Sequence, residues 1–135
     1  MDCIFCKIVK GEIPCAKLYE DSKVLSFLDI GPINYGHALV IPKQHYVTII
    51  DTPDDVLKDL IMVTKKVTKA IKEATGVEGV NNLLNNGKAS GQAVFHAHMH
   101  IIPRFEGDDF KIPWPAKRYP EGGMEEMRKK IAKNL

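Results

Sequence analysis

A chain of 135 residues is long enough for one ordinary domain and too short for two sizeable cores. Apolar residues at 44% and charged residues at 27% exclude both the charge-rich composition of disorder and a membrane composition. Nineteen Lys and Arg against 17 Asp and Glu leave a formal charge of +2, which excludes the concentrated basic face of a dedicated nucleic-acid binder.

The start, Met1-Asp2-Cys3-Ile4-Phe5-Cys6, has no basic segment followed by an apolar one, so the expectation is a cytoplasmic protein with no membrane partner. Ile4, Phe5 and Ile8 form a short helical pattern closed by Gly11 and Pro14. Two strands are predicted over 16–20 and 24–29, with Asp21-Ser22-Lys23 as the turn. A buried strand, His37 to Ile41, ends at Pro42. Residues 52–75 carry the strongest helix signal. Thr52 is placed as the N-cap, Pro53 as the first helical residue and Asp55 as the carboxylate of a capping box. Val56, Leu60, Val67, Ile71 and Ala74 recur at helical spacing, and Gly76 stops the helix. Strands near 80–85 and 95–103 follow, joined by Asn86-Gly87-Lys88-Ala89-Ser90-Gly91. A last helix over 124–133 has Met124, Met127 and Ile131 on one face, with i, i+4 ion pairs Glu125/Lys129 and Glu126/Lys130 worth a few tenths of a kcal/mol each. Strands around one long helix, joined by short turns, predict an α+β domain with a mostly antiparallel sheet.

Cys3, Cys6 and Cys15 are an odd number, and a disulfide framework is not expected in a reducing compartment. Cys3 and Cys6 form a C-x-x-C that suits a metal or a redox pair, or two buried thiols; Cys15 is read as a lone small residue. Three of the five histidines fall in His96-Ala97-His98-Met99-His100. On a strand these three imidazoles share one face, with Ala97, Met99 and Ile101 on the other. Such a face suits a metal site or a nucleophilic imidazole whose second nitrogen is fixed on an acceptor. The preceding loop, Asn85 to Gln92, contains two glycines whose backbone N–H groups suit an anion. Beside a histidine strand it points to a phosphate cradled while an imidazole attacks it.

The run Gly91-Gln92-Ala93-Val94-Phe95-His96-Ala97-His98-Met99-His100-Ile101-Ile102-Pro103-Arg104 resembles the signature of the histidine-triad (HIT) superfamily, His-φ-His-φ-His-φ-φ with φ apolar. Cys3 to Ile8, Gly11-Glu12-Ile13-Pro14, Phe27-Leu28-Asp29-Ile30 and Gly36 to His45 extend the likeness, in family order, toward its Hint branch of nucleoside phosphoramidases and nucleotide hydrolases. The resemblance implies a single HIT domain of about five antiparallel strands, one long helix and a C-terminal helix, its core near 3–105 and its extension near 106–135. A homodimer paired through the helix and a sheet edge is also implied.

By the same resemblance, His98 is the nucleophile that forms a nucleotidyl-imidazole. The His96 carbonyl holds the His98 proton, His100 contacts the phosphate and leaving group, and His37 stands beside the triad. Asn85, Gly91, Gln92 and Ala93 fall on the phosphate and leaving-group side, and Asp29 meets the ribose. Ile4, Phe5, Ile8, Phe27 and Ile30 enclose a purine. Cys3, Cys6, His45 and His96 match a structural zinc set used by some members of the superfamily. Ala93 departs from the pattern: many Hint proteins carry Ser or Thr there, a hydroxyl that assists the leaving group. This departure keeps a second expectation open, a nucleotide-binding regulatory module with little turnover. A zinc hydrolase built on the triad itself is a third. Trp114, between Pro113 and Pro115, is read as reaching a partner's site or as a packing anchor, and Lys117 and Arg118 as solvated.

Overall fold

Val24–Leu28 and Ala38–Pro42 are apolar runs bounded by turn residues, and strands buried on both faces require such runs. In the computed structural model, which describes residues 2–111 and 114–135, they form β2 and β3. With β1 (Lys17–Glu20), β4 (Gly79–Leu84) and β5 (Met99–Arg104) they build a five-stranded sheet in the order β1-β2-β3-β5-β4. Every neighbouring pair is antiparallel.

The alternation along the strands assigns the two faces. Val24, Ala38, Val40 and Ile101 pack against Leu60, Val63, Val67 and Ile71 of the long helix α2 (Asp54–Thr75). On the opposite face Leu25, Phe27, Leu39 and Ile41 pack with Cys3 and Phe5, at the start of the short helix α1 (Ile4–Val9). His100 precedes Ile101 and therefore sits on the α1 side.

The start of α2 differs from the sequence expectation. The capping position is Pro53, and the Thr52 hydroxyl donates to the Thr48 carbonyl at 2.6 Å, so no capping box forms. Asp55 instead pairs with Lys23 at 3.2 Å, and Asp54 and Asp55 stand at the positive end of the helix dipole, which favours their charge. Gly76 closes α2 in the left-handed conformation (φ 70°). Ala74, the last of the expected apolar series, is exposed.

A third helix, α3 (Gly123–Ala132), has no buried residue. Glu126 pairs with Lys130 at 3.6 Å, but Glu125 takes Arg128 at 2.6 Å, because the guanidinium three residues on bonds both carboxylate oxygens. Trp114 is 77% exposed, so it anchors no packing among the described residues. Pro113 lies outside the described residues. No helix among the described residues is long and apolar enough to cross a membrane.

Candidate active site and metal cluster

The three triad histidines do not share a strand face. β5 begins only at Met99, and its pairing with β3 stops at Val40↔Met99. Before that point the Ala97 N–H donates to the Tyr46 carbonyl at 2.7 Å, which draws residues 94–98 off the ladder toward the segment after β3. The deviation sends the imidazoles two ways. His96 is fully buried and turns toward the cysteines, whereas His98 and His100 lie side by side at a cavity, ring centroids 4.9 Å apart.

Their hydrogen bonds define the tautomers, because a carbonyl can only accept and a backbone N–H can only donate. His98 Nδ1–H donates to the His96 carbonyl at 2.6 Å, leaving Nε2 bare. His37 Nδ1 accepts from the Ile33 N–H at 3.1 Å, so its proton sits on Nε2, which donates to His100 Nδ1 at 2.9 Å. His100 therefore carries its own proton on Nε2. Burial pushes His37, His96 and His98 below the ordinary histidine range. His100 falls to about 4, through burial first and then the neighbouring His98 and His37. All four imidazoles are uncharged at neutral pH.

The cavity beside them measures about 320 Å³ and opens between α1 and the ends of β2 and β3. Phe5, Ile8, Phe27, Ile4 and Ile30 all line it, with Ile30 almost wholly exposed at the lip. Asp29 stands on the same rim; its backbone N–H donates to the His37 carbonyl at 2.9 Å, and its Oδ1 accepts from Gly31 N–H at 2.8 Å. Ile13, Pro14, Cys15, Leu39 and Val94 also line the cavity without having been singled out from the sequence. Leu39 was legible, since it shares a face of β3 with Ile41. Cys15 carried no periodic signal.

Gly91 and Ala93 reach the cavity; Asn85 and Gln92 do not line it. Gln92 is 3% exposed, and its carboxamide ties the loop together. Oε1 accepts from the Gly87 N–H at 2.7 Å, and Nε2 donates to the carbonyls of Val47 (2.7 Å) and Val94 (3.1 Å). The Asn85 amide packs beside Gly91, whose φ of 99° favours glycine. The Ser90 hydroxyl donates to the Gly87 carbonyl at 2.7 Å, and Ala93 brings only a methyl group to the cavity.

Cys3, Cys6, His45 and His96 converge from the start of α1, the segment after β3 and the approach to β5, with all four donor atoms within 4.8 Å of one another. Zinc bonds of about 2.3 Å to sulfur and about 2.0–2.1 Å to nitrogen imply tetrahedral edges of about 3.5 Å for S···N and about 3.4 Å for N···N. The observed S···Nδ1 distances are 3.5, 3.4 and 3.6 Å, and His45 Nδ1 to His96 Nδ1 is 3.2 Å. His96 Nε2–H donates to the Pro42 carbonyl at 2.8 Å, which leaves the Nδ1 lone pair facing the cluster. The Cys6 thiol is pushed up by burial and by Cys3 beside it, a strain that a bound cation would relieve. The three cysteines are free thiols. A second group, Asp29, His37 and His100, is equally close, but the Ile33 N–H on His37 Nδ1 keeps a proton on Nε2 where a ligand needs a lone pair.

A family model described as the HIT domain matches residues 10–107. The chain is 50% identical over 121 residues to the adenosine 5'-monophosphoramidase hnt1 of Schizosaccharomyces pombe, covering 89% of this chain and 86% of that protein. It is 50% identical over 107 residues to the adenylylsulfatase HINT3 of Arabidopsis thaliana, covering 79% of this chain but only 54% of that protein's length. A crystal structure of a HIT family protein from Bacillus subtilis superposes with a TM-score of 0.93 at 43% identity, covering 100% of this chain and 98% of that one. A zinc-bound histidine triad family protein from Mycobacterium smegmatis superposes at 0.78 with 38% identity, over 98% and 95% of the two chains. With its histidine pentapeptide, its five-stranded sheet and these relatives, the chain belongs to the HIT domain family.

Proposed function

We propose that this chain is a purine nucleoside phosphoramidase or nucleotidyl hydrolase that works through a covalent nucleotidyl-His98 intermediate. One observation carries the proposal: His98 Nδ1–H is held on the His96 carbonyl at 2.6 Å while a bare Nε2 stands at the cavity beside His100. Relatives named as adenosine 5'-monophosphoramidase and adenylylsulfatase support a nucleotide hydrolase.

His98 Nε2 attacks the α-phosphorus, and a P–N bond to the ring forms as the bond to the leaving amine breaks. The imidazolium that results keeps its Nδ1–H on the His96 carbonyl. His100 Nε2–H donates to the phosphoryl oxygens, and the amine takes up a proton from the cavity mouth as it departs. Water then attacks phosphorus, the ring–phosphorus bond breaks, and the water's proton leaves with solvent as the nucleoside monophosphate is released. Asp29 accepts the ribose hydroxyls, and the apolar walls Ile4, Phe5, Ile8, Phe27 and Ile30 hold the purine. Gly91, Ala93 and the loop braced by Gln92 and Asn85 border the phosphate.

His98→Ala should lower adenosine 5'-phosphoramidate hydrolysis by at least about a thousandfold while the fold is kept. Acid-quenched wild-type enzyme should show a mass increase of one nucleotidyl group that the variant lacks. Equal rates in the two proteins would overturn the assignment.

A second reading, a nucleotide-binding module with little turnover, is favoured by the bare methyl of Ala93 and by the engagement of the Ser90 hydroxyl with Gly87. Ala93→Ser discriminates the two. A rise of about tenfold or more in kcat identifies the missing hydroxyl as the limit, and an unchanged rate removes that motive for the second reading.

The Cys3, Cys6, His45 and His96 cluster is proposed to hold one structural zinc ion. We also propose that the chain forms a homodimer, that it works in the reducing cytoplasm, which suits its free thiols, and that residues 3–105 act as one domain with a C-terminal extension.

A further inference from the structure

His37 and His100 each act in one protonation pattern, and the group that imposes it, the Ile33 N–H, belongs to a loop with little packing of its own. Within residues 30–36, Ile30 and Tyr35 are almost wholly exposed, and Gly31, Pro32 and Ile33 are exposed as well. Gly36 and Asn34 are half-buried, and Asn34 ties the loop down. Its Nδ2 donates to the Pro103 carbonyl at 2.8 Å and to Asp108 Oδ2 at 2.9 Å, and its own carbonyl accepts the His37 N–H at 3.0 Å.

Asp108 is a rigid anchor for this bond. It is buried, and the Arg104 guanidinium grips both its oxygens, Nε to Oδ2 at 2.6 Å and Nη2 to Oδ1 at 2.7 Å. Arg104 is fixed in turn by Asn81 Oδ1 at 2.8 Å and by the Phe110 carbonyl. None of Asn34, Asp108 and Arg104 lines the cavity.

We propose that Asn34 and Asp108 are positioning residues of the site: by clamping the turn of residues 33–37 they hold the Ile33 N–H on His37 Nδ1 and so decide which nitrogen His100 turns to substrate. A neutral imidazole has two tautomers, and the hydrogen bond at one nitrogen selects between them. With the Ile33 N–H in place, His37 donates from Nε2 and His100 keeps its proton on Nε2. Without it, His37 is free to protonate at Nδ1, its Nε2 becomes an acceptor for His100 Nδ1–H, and His100 presents a lone pair to the phosphoryl oxygens. The clamp thus converts a salt bridge at the end of β5 into the donor polarity of the phosphate site. The catalytic part of this inference rests on the nucleotidyl-transfer reading above; the tautomer part does not.

The test uses the full chain with isotope-labelled histidine and reads the protonated nitrogen of each ring from nitrogen–proton correlation spectra at neutral pH. Wild type should show His37 and His100 each as a single Nε2–H tautomer. Asn34→Ala, and independently Asp108→Asn should either variant fail to fold, should show both rings as tautomer mixtures. In the same protein kcat for adenosine 5'-phosphoramidate should fall about tenfold or more, with KM within about twofold. Val67→Ala, which loosens the core under α2, should lower thermal stability without changing either tautomer. Retention of the single Nε2–H forms in the folded clamp variants, or a wild-type His37 protonated at Nδ1, overturns the inference. Tautomer mixing in a wild-type chain that hydrolyses nothing would sink the catalytic reading as well, whereas clean tautomers without hydrolysis would sink that reading alone.

Discussion

At the scale of single residues, the site depends on where each imidazole keeps its proton. His98 is bare at Nε2 because the His96 carbonyl holds Nδ1–H, and His100 is a donor at Nε2 because His37 occupies Nδ1. His100 faces His98, His37 and Asp29; burial and the two histidines outweigh the carboxylate and bring its pKa to about 4. This has a consequence for stability. The unfolded chain protonates His100 near about 6.5, and the folded chain does so only near about 4, so the unfolded state binds the extra proton between those values. Stability should therefore fall as pH drops through that window, and His37 and His98, shifted the same way, steepen the loss. Asp108 acts in a different range. Its carboxylate is held far below the usual value by Arg104, and its contribution is lost only as pH falls below about 3.8. Urea midpoints measured at neutral pH and near pH 5 should show a clear decrease for wild type and a smaller one for His100→Asn. Equal decreases would mean that His100 does not control this window.

At the scale of elements, the sequence placed most strands and helices correctly because their signals are local. β2 and β3 are apolar runs between turn residues, and Gly76 marks the end of α2 by its own backbone conformation. What the sequence hid depends on contacts distant along the chain. The triad pentapeptide alternates like a strand, but the Ala97 N–H bonds Tyr46, some fifty residues earlier, and only His100 remains on the ladder. The resemblance puts Gln92 on the phosphate and leaving-group side; its side chain makes three hydrogen bonds, to Gly87, Val47 and Val94, which brace the loop and depend on a residue 45 positions earlier. The convergence of Cys3, Cys6, His45 and His96, by contrast, came from resemblance, since no spacing rule links residues 6, 45 and 96. The elements also carry an unmatched surface. β4 is an edge strand with Leu83 exposed, and Ile61 and Met62 are exposed on α2. A free edge beside apolar side chains favours pairing with a second copy. Light scattering should give twice the 15.1 kDa chain mass, and the double change Ile61→Glu with Met62→Glu should return it to one. A wild-type mass of a single chain would refute the homodimer.

At the scale of the whole molecule, the proposed zinc ion is a fastener between the N-terminus and the catalytic segment. A thiolate-rich site contributes on the order of 10 kcal/mol in small zinc domains that have little else to fold around. Here apolar side chains pack a core on each face of the sheet. Chelation should thus lower the melting temperature while the transition stays cooperative, and Cys3→Ser with Cys6→Ser should reproduce that state. Metal analysis of protein purified without chelators should find about one equivalent of zinc; less than about a tenth, with no gain on adding it back, would reduce the cluster to buried thiols.

The division of labour within His96 has a further consequence. Its ring faces the cysteines and His45, while its main-chain oxygen accepts the Nδ1–H of His98, the proposed nucleophile. No substitution can delete that oxygen, because every amino acid brings one. A mutational scan would nonetheless rank His96 with the residues that perform the reaction, since losing the ring releases the backbone from which the oxygen is aimed. The middle and last histidines of the pentapeptide are read by their side chains. The first is read by its side chain only as an anchor, and its chemistry is written in an atom that mutagenesis cannot reach.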